Sequence, residues 1–398
     1  MTRTCDARAR RLLGRATYVA AALTAACGDG APLEQARVQE RRAELFGAQP
    51  SPSGTTDDAV LLLHSSAAGD VSCTSTLVAP NLVVTALHCV ARAGAPGFNC
   101  TKEGELVPNP IGAGTLGSHL DPASIEFHAG ERVSAEPVAR GIKILSTFSE
   151  TVCKNDIAFV VLDRELDLPI RPIRLRKSTA IGESMTFIGY GLDEQRIANW
   201  RDRPRKRLPG QLVKDAGPDS VQQGVQNAPP RTLIFEGPSS CLGDSGGPAL
   251  SEDTGAVVGV FSTLSSALCS VRGVLTYTRV SPFGVLADQA FAAAGQPAWL
   301  DGEPDPRLTP NGASCAEAHE CQSGACARGL CASACSADAP CPGGYTCEAE
   351  SSACVKEPTN REPQSCSVAV QSSRKDVAAL FLLTLCALAR ARRRSRYR

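Results

Sequence analysis

Short runs of β-branched and aliphatic residues alternate with Gly, Pro, Asn and Asp from about residue 59 to residue 280. Each run has the length of a β-strand, and the residues between runs are those that tight turns use. The clearest runs cover residues 60–63, 76–78, 82–85, 157–162, 185–188, 256–261 and 274–280. Many short strands joined by turns predict an all-β barrel or sandwich.

The end of this region has a different pattern. Residues 283–294 have the periodicity of an amphipathic helix, and Gly295 followed by Pro297 is typical of a helix end. Residues 296–314 are rich in Pro, Asp and Gly without apolar periodicity, which predicts a linker.

Residues 315–354 contain eight of the chain's 18 cysteines: Cys315, Cys321, Cys326, Cys331, Cys335, Cys341, Cys347 and Cys354. Small secreted modules use disulfides at this density in place of a hydrophobic core. The alternative is zinc, but no Cys-x-x-Cys pair occurs and His319 is the only nearby imidazole. We therefore expect a small disulfide-rich module of undetermined connectivity, with no metal.

The charge balance and the N-terminus bear on location and partners. Basic and acidic residues both total 41, which predicts no nucleic-acid partner. Residues 1–27 predict a signal peptide, because several arginines precede an apolar run too short to span a bilayer. Its end resembles a bacterial lipobox with lipidation at Cys27; the alternative is ordinary cleavage with Cys27 incidental. Residues 28–44 are polar and are interpreted as a pro-segment.

Residues 241–248, with the sequence CLGDSGGP, carry the clearest chemical signal. A Gly-x-Ser-x-Gly motif can form the nucleophile elbow of an α/β-hydrolase, in which the acid and the histidine follow the serine. Here only His319 follows Ser245. The other histidines, His64, His88, His119 and His128, all precede it. The order must therefore be histidine, acid, serine.

Two further motifs fit this order. His88 lies just past the apolar run of residues 82–85 and precedes Cys89, and Asp156 opens the sequence DIAFVVL. Together with Ser245 they resemble the motifs of trypsin-like (chymotrypsin-like) serine proteases. The resemblance implies a catalytic triad of His88, Asp156 and Ser245, with an oxyanion hole at the amides of Gly243 and Ser245.

The same resemblance implies a fold and a domain. We expect two six-stranded antiparallel β-barrels, residues 45–170 and 171–295, the second stretch including the C-terminal helix, with the triad at their junction. Acyl transfer by a triad needs no cofactor, and the expected partners are protein or peptide substrates.

The resemblance also implies disulfides and a specificity pocket. Cys73 is expected to pair with Cys89, and Cys241 with Cys269. Within this domain Cys100 and Cys153 remain; their pairing is not typical of the family, and we expect it to tie the loop of residues 93–120 to the site. Ser239 stands at the expected pocket base, which favours a neutral substrate side chain over Lys or Arg. Ser262 is expected to support the site, and Leu264 to narrow the pocket.

Activation in the family frees an apolar N-terminus that pairs with the acid before the nucleophile, here Asp244. Leu45 lies 43 residues before His88, close to the family spacing. Cleavage after Glu44 would therefore produce this terminus; the alternative is that Leu45 simply begins the first strand.

Residues 355–398 contain Cys366, an apolar run at 377–389 and an arginine-rich end. The run is short for a bilayer-spanning helix. The arrangement resembles the Myxo-type C-terminal sorting tail of bacterial surface proteins; the alternative is a short membrane anchor. We expect an exported protein on the surface of a Gram-negative bacterium, associated with the membrane through its terminal anchors.

Two other functions stay open at this stage. The protein could be a catalytically silent surface-binding protein with a protease-like fold, or the disulfide-rich module could bind a surface ligand. In addition, arginines crowd residues 196–207, which predicts an exposed, mobile loop.

Overall fold

The computed structural model describes residues 48–67, 69, 71–95, 97–192, 199–219, 228–237, 240–265 and 273–356. The predicted signal peptide and pro-segment and the predicted tail beyond residue 356 lie outside these residues, and with them Cys27, Leu45 and Cys366. So do Ser239 and Cys269.

The described residues form short strands and one α-helix. The strands are β1 (Gln49–Pro50), β2 (Val60–Ser65), β3 (Val71–Ala79), β4 (Leu82–Thr85), β5 (Ala91–Ala93), β6 (Leu116–His119), β7 (Glu126–His128), β8 (Ala139–Ser146), β9 (Ala158–Leu162), β10 (Ser184–Gly189), β11 (Lys206–Leu212), β12 (Asp215–Ala216), β13 (Thr232–Gly237), β14 (Pro248–Ser251), β15 (Val257–Leu264), β16 (Gly273–Arg279), β17 (Cys326–Ala327), β18 (Leu330–Cys331), β19 (Tyr345–Glu348) and β20 (Ala353–Lys356); helix α1 covers Gly284–Ala294.

The first unit is a closed six-stranded barrel with the strand order β2-β3-β4-β9-β8-β7. Its apolar runs are buried along their whole length, as in β4 and β9. These two strands are antiparallel neighbours, with Thr85 opposite Ala158. Residues just after β4 and just before β9 therefore meet at one end of the barrel.

The second unit is a sheet with the order β1-β11-β10-β14-β15-β16-β13-β12. Six of these strands have four to eight residues, and the two-residue strands β1 and β12 extend the sheet at its ends. Stacked and edge-on aromatic rings of Phe187, Phe235 and Tyr277 fill its core. The predicted fold class, all-β with a terminal helix, is confirmed. Helix α1 ends at Gly295, whose φ of 69° is left-handed.

Part of the segment predicted as a linker packs against the second unit. Leu300 is buried and forms a parallel bridge with Ile173. Asp301 forms an ion pair with the buried Arg174. The chain therefore stays attached to the sheet for several residues beyond helix α1.

The cysteine-rich region consists of two small hairpins, β17–β18 and β19–β20. Its buried apolar cluster contains only Ala325, Ala327 and Ala353, which is too little for a core that holds the fold by itself. Four disulfides cross-link it instead: Cys315–Cys326, Cys321–Cys331, Cys335–Cys347 and Cys341–Cys354. Among the described residues, no helix has the length and apolar character that a bilayer crossing requires.

The prediction of an exposed loop at residues 196–207 is wrong for residues 203–206, whereas Arg201 and Asp202 are exposed as predicted. Arg203, Arg205 and Lys206 are buried, and β11 begins at Lys206. Arg205 has no exposed surface and pairs with Asp58 at 2.6 Å. Its guanidinium also donates to the carbonyl oxygen of Pro52 at 3.2 Å. Burial is tolerated because the first barrel and the segment before it supply these acceptors.

The Arg205 network yields a prediction about stability. Arg205→Met should lower the free energy of unfolding by about 3 kcal/mol, because it removes the ion-pair partner of the largely buried Asp58, whose side chain is 13% exposed. Urea denaturation measures the change. The control is Arg164→Met, whose guanidinium is exposed beside Asp163 and should cost no more than about 1 kcal/mol. Equal effects of the two substitutions would contradict the role given to Arg205.

Candidate active site

His88 and Asp156 meet where β4 ends and β9 begins. A 3-10 turn, Leu87–Cys89, follows β4 and carries His88. The His88 amide donates to Asp156 Oδ1 at 2.9 Å, and His88 Nδ1 lies 2.7 Å from Asp156 Oδ2. Two contacts to the two carboxylate oxygens fix the imidazole both in position and in orientation.

Asp156 is completely buried. Besides His88, the hydroxyl of Ser262 on β15 donates to its Oδ2 at 2.6 Å. Burial alone would raise the pKa of Asp156, but the charge of His88 and the hydrogen bonds from His88 and Ser262 outweigh it and lower the pKa. The carboxylate is therefore ionised at neutral pH.

The ionised carboxylate in turn acts on His88. Burial disfavours the charged imidazolium, yet the adjacent Asp156 carboxylate outweighs burial and raises the pKa of His88 above its usual 6.5. Because Nδ1 faces Asp156, Nε2 is the nitrogen left to accept a proton. This is the arrangement of a general base.

Ser245 lies in a turn that packs against the first barrel. Its carbonyl oxygen accepts a hydrogen bond from the Thr74 amide on β3 at 2.7 Å. The next residue must be glycine: Gly246 has a φ of +81°, and a Cβ there would lie 2.1 Å from Thr85 Oγ1. The nucleophile turn is thus held against β3 and the end of β4, which leads to His88.

The hydrogen bonds found for His88 run to Asp156, and none of the described ones joins Ser245 Oγ to the imidazole. Such contacts are often long before substrate binds, and they tighten in the complex. The side chain of Ser245 is half-buried. It is therefore open to a reacting group from outside.

Two backbone amides in this turn have no acceptor within the described structure. The amides of Asp244 and Gly246 donate to carbonyl oxygens of Cys241 and Phe261, at 3.0 and 2.8 Å. The amides of Gly243 and Ser245 have no such partner, and Gly243 adopts a φ of +103°. Two unengaged N–H donors on either side of Asp244 form a site suited to an oxyanion.

A trypsin family model matches residues 47–284, more than half of the chain. The chain belongs to the trypsin family. Among solved structures, the HL collagenase shares 20% identity, with 63% of this chain and 99% of that chain covered, at a TM-score of 0.44. The scabies mite inactivated protease paralogue S-I1 shares 17% identity, covers 62% and 99%, and has a TM-score of 0.43. No curated protein matches the chain.

Thr74 links three parts of this trypsin-family site. Its amide holds the Ser245 carbonyl, its hydroxyl donates to the Gly243 carbonyl at 2.8 Å, and that hydroxyl accepts from the Tyr190 amide at 3.1 Å. Sequence reasoning missed Thr74, because a single threonine in a strand belongs to no motif. Its only signal was its place directly after Cys73.

The other predicted residues of the trypsin-family domain are placed as follows. The predicted disulfides Cys73–Cys89 and Cys100–Cys153 are both formed. Cys153 lies three residues before Asp156. Cys241 is also in a disulfide bond, but Cys269, its expected partner, lies outside the described residues.

The expected pocket is described in part. Ser239, its base, is outside the described residues. Leu264 is half-buried at the end of β15, opposite Leu275 on β16. Ser262, on the same strand, has its hydroxyl on Asp156. Its role is therefore to support the carboxylate.

Potential metal ligands of the described residues cluster in three groups, each containing cysteines. One of them is Cys73, His88 and Cys89; the other two lie in the cysteine-rich region. All of these cysteines are in disulfide bonds, and a disulfide sulfur lacks the thiolate that binds a metal. None of the three groups is a metal site in this oxidised form.

The charge coupling at the site is testable by NMR titration. We expect a His88 pKa above 6.5, and Asp156→Asn should lower it, because burial is then no longer opposed by the carboxylate. His119 is the internal control: burial holds its pKa below 6.5, and the substitution should leave it unchanged. A His88 pKa that does not respond to Asp156→Asn would contradict the coupling.

Proposed function

We propose that this trypsin-family protein is a serine endopeptidase that hydrolyses peptide bonds through an acyl-enzyme. The observation that carries the proposal is the ionised, buried Asp156 held on His88 at the junction of the two units, beside a turn that carries Ser245 and the unengaged amides of Gly243 and Ser245. This combination supplies a base, a nucleophile and an oxyanion site.

In the proposed reaction, Ser245 Oγ attacks the peptide carbonyl carbon while His88 Nε2 takes the hydroxyl proton. The carbonyl oxygen becomes an oxyanion and accepts hydrogen bonds from the amides of Gly243 and Ser245. The carbon–nitrogen bond then breaks, and His88 returns its proton to the leaving amine. Water, activated by His88, attacks the remaining ester and restores the Ser245 hydroxyl.

We propose a preference for a neutral, small apolar side chain before the scissile bond. The support is in the sequence: the expected base residue, Ser239, has no charge to pair with Lys or Arg. Leu264, at the expected pocket wall, stands where the family has glycine, and it would narrow the pocket.

We also propose that cleavage after Glu44 activates the protein by freeing Leu45 to pair with Asp244. The support is the course of the chain. Strand β1 pairs with β11, which places Pro50 opposite Lys206. Leu45 lies five residues before Pro50, so the two residues are about 18 Å apart at most.

The proposed place of action is outside the cytoplasm, at the cell surface. The many disulfides of the described residues are consistent with an extracellular protein. The predicted signal peptide and sorting tail support export and membrane association, and the cysteine-rich module would present a surface for a ligand there.

The triad assignment predicts the effect of two substitutions. Ser245→Ala should abolish labelling by a fluorophosphonate probe, and Asp156→Asn should lower peptidase activity by roughly 10⁴-fold, because the imidazole loses its correct tautomer. Ser184→Ala, at a half-buried hydroxyl of β10 bonded to Glu252, is the control for serine loss. Wild-type protein that neither labels nor cleaves a mixed peptide library would instead favour the silent surface-binding protein.

The pocket assignment predicts that Ser239→Asp shifts preference toward Lys or Arg, because a buried carboxylate can pair with their charge. Cleavage of a peptide library by wild type and variant measures the shift. The same library profile for both proteins would show that Ser239 is not the pocket base.

A further inference from the structure

Asp244, the residue before Ser245, is a second buried acid at this site. Its carboxylate accepts hydrogen bonds from the amides of Gly191 and Cys241, each at 2.8 Å. It also fills the space above Gly189, where a Cβ would lie 2.1 Å from Oδ1. Two amide donors leave much of the cost of burying its charge uncompensated.

Strand β11 brings a lysine to the same place. Lys206 is directly opposite Gly189 in the β10–β11 pair, and opposite residues of antiparallel strands project to the same face. The Lys206 side chain therefore lies on the face of the sheet that the Asp244 carboxylate covers. Only 5% of the surface of Lys206 is exposed to solvent.

The pKa shifts of Asp244 and Lys206 support an electrostatic interaction between the two side chains. Burial raises the pKa of Asp244 to about 6, and the positive charges of Lys206 and Arg203 oppose that rise. Burial lowers the pKa of Lys206 to about 8, and Asp244 opposes that fall. Tyr277, whose hydroxyl is buried, is a further titratable group that senses the Asp244 charge.

Asp244 lies between the two residues whose amides form the oxyanion site. The position of the Asp244 side chain therefore determines whether the amides of Gly243 and Ser245 both point into the oxyanion site. Arg203 adds to this packing, because its Nη1 would lie 3.0 Å from a Cβ built on Gly243.

We propose that Lys206 is a positioning residue that supplies an internal positive charge to Asp244 and holds the Gly243–Ser245 turn in its active form before any cleavage at Leu45. The inference rests on the proposed peptidase function. It differs from activation by a new N-terminus in one respect: the uncleaved chain is already reactive, and cleavage adds a second positive charge.

The test compares uncleaved chains. Leu45→Pro provides the background, because a proline after the scissile bond resists cleavage, and mass spectrometry verifies the intact N-terminus. In this background the rate of fluorophosphonate labelling of Ser245 is measured for the parent, Lys206→Met, Lys206→Arg and Lys214→Met. Lys214 is an exposed lysine just beyond β11 and serves as the matched control.

We expect the uncleaved parent to label, and Lys206→Met to slow labelling at least about 10-fold, because it leaves a buried charge uncompensated. Lys206→Arg and Lys214→Met should stay within about twofold of the parent. In a chain that begins at Leu45 with a free amino group, the Lys206→Met defect should shrink. Thermal unfolding checks that each variant is folded.

A pH series decides the matter even if Lys206→Met fails to fold. Labelling of the uncleaved parent should decline above pH about 8, as Lys206 loses its proton. Lys206→Arg should move this decline to higher pH, because a guanidinium keeps its charge. An unchanged alkaline decline would overturn the inference.

The remaining outcomes are also decisive. Equal labelling of Lys206→Met and Lys214→Met, or labelling that occurs only in the chain beginning at Leu45, would overturn the role of Lys206 and leave the peptidase function standing. Absence of labelling in every form, the chain beginning at Leu45 included, would overturn the proposed function and this inference with it.

Discussion

The buried carboxylate of Asp156 is the constraint on which the site depends. An ion removed from water destabilises the fold by several kcal/mol unless donors surround it. Here the donors come from both units: the amide and ring of His88 follow β4, and the hydroxyl of Ser262 belongs to β15. Satisfying the charge therefore orients the imidazole and joins the two halves of the domain in one step.

The position of Ser245 follows from how the units pack. Thr74 on the first barrel binds the turn on both sides of Asp244, and Gly246 allows the turn to approach β3 and β4 without a clash. The Tyr190 hydroxyl donates its one proton to the carbonyl oxygen of Gly130 at 2.7 Å, and the carbonyl oxygen of Val60 lies 3.1 Å from it. The nucleophile is thus placed by inter-unit contacts more than by its own strand.

Buried cations form the other half of the electrostatics. The arginine-rich stretch is predicted from the sequence to be a solvated loop, because like charges close in sequence repel. In the fold its members face different acceptors: Arg205 faces Asp58, Arg203 donates to the Ser72 hydroxyl, and Lys206 shares a face with Asp244. Because each of these side chains faces a different group, their closeness in sequence does not make their charges repel one another.

The sequence by itself determined the all-β class, the terminal helix and the residues of the candidate triad, because strand periodicity, turn residues and three ordered motifs are local patterns. It also led to the Cys73–Cys89 and Cys100–Cys153 pairs. Only the tertiary structure decided the Thr74 contacts, the Ser262 bond to Asp156, the burial of Arg205 and the four pairings of the cysteine-rich region. Each of these depends on partners distant in sequence, whose proximity arises only when the strands have found their register.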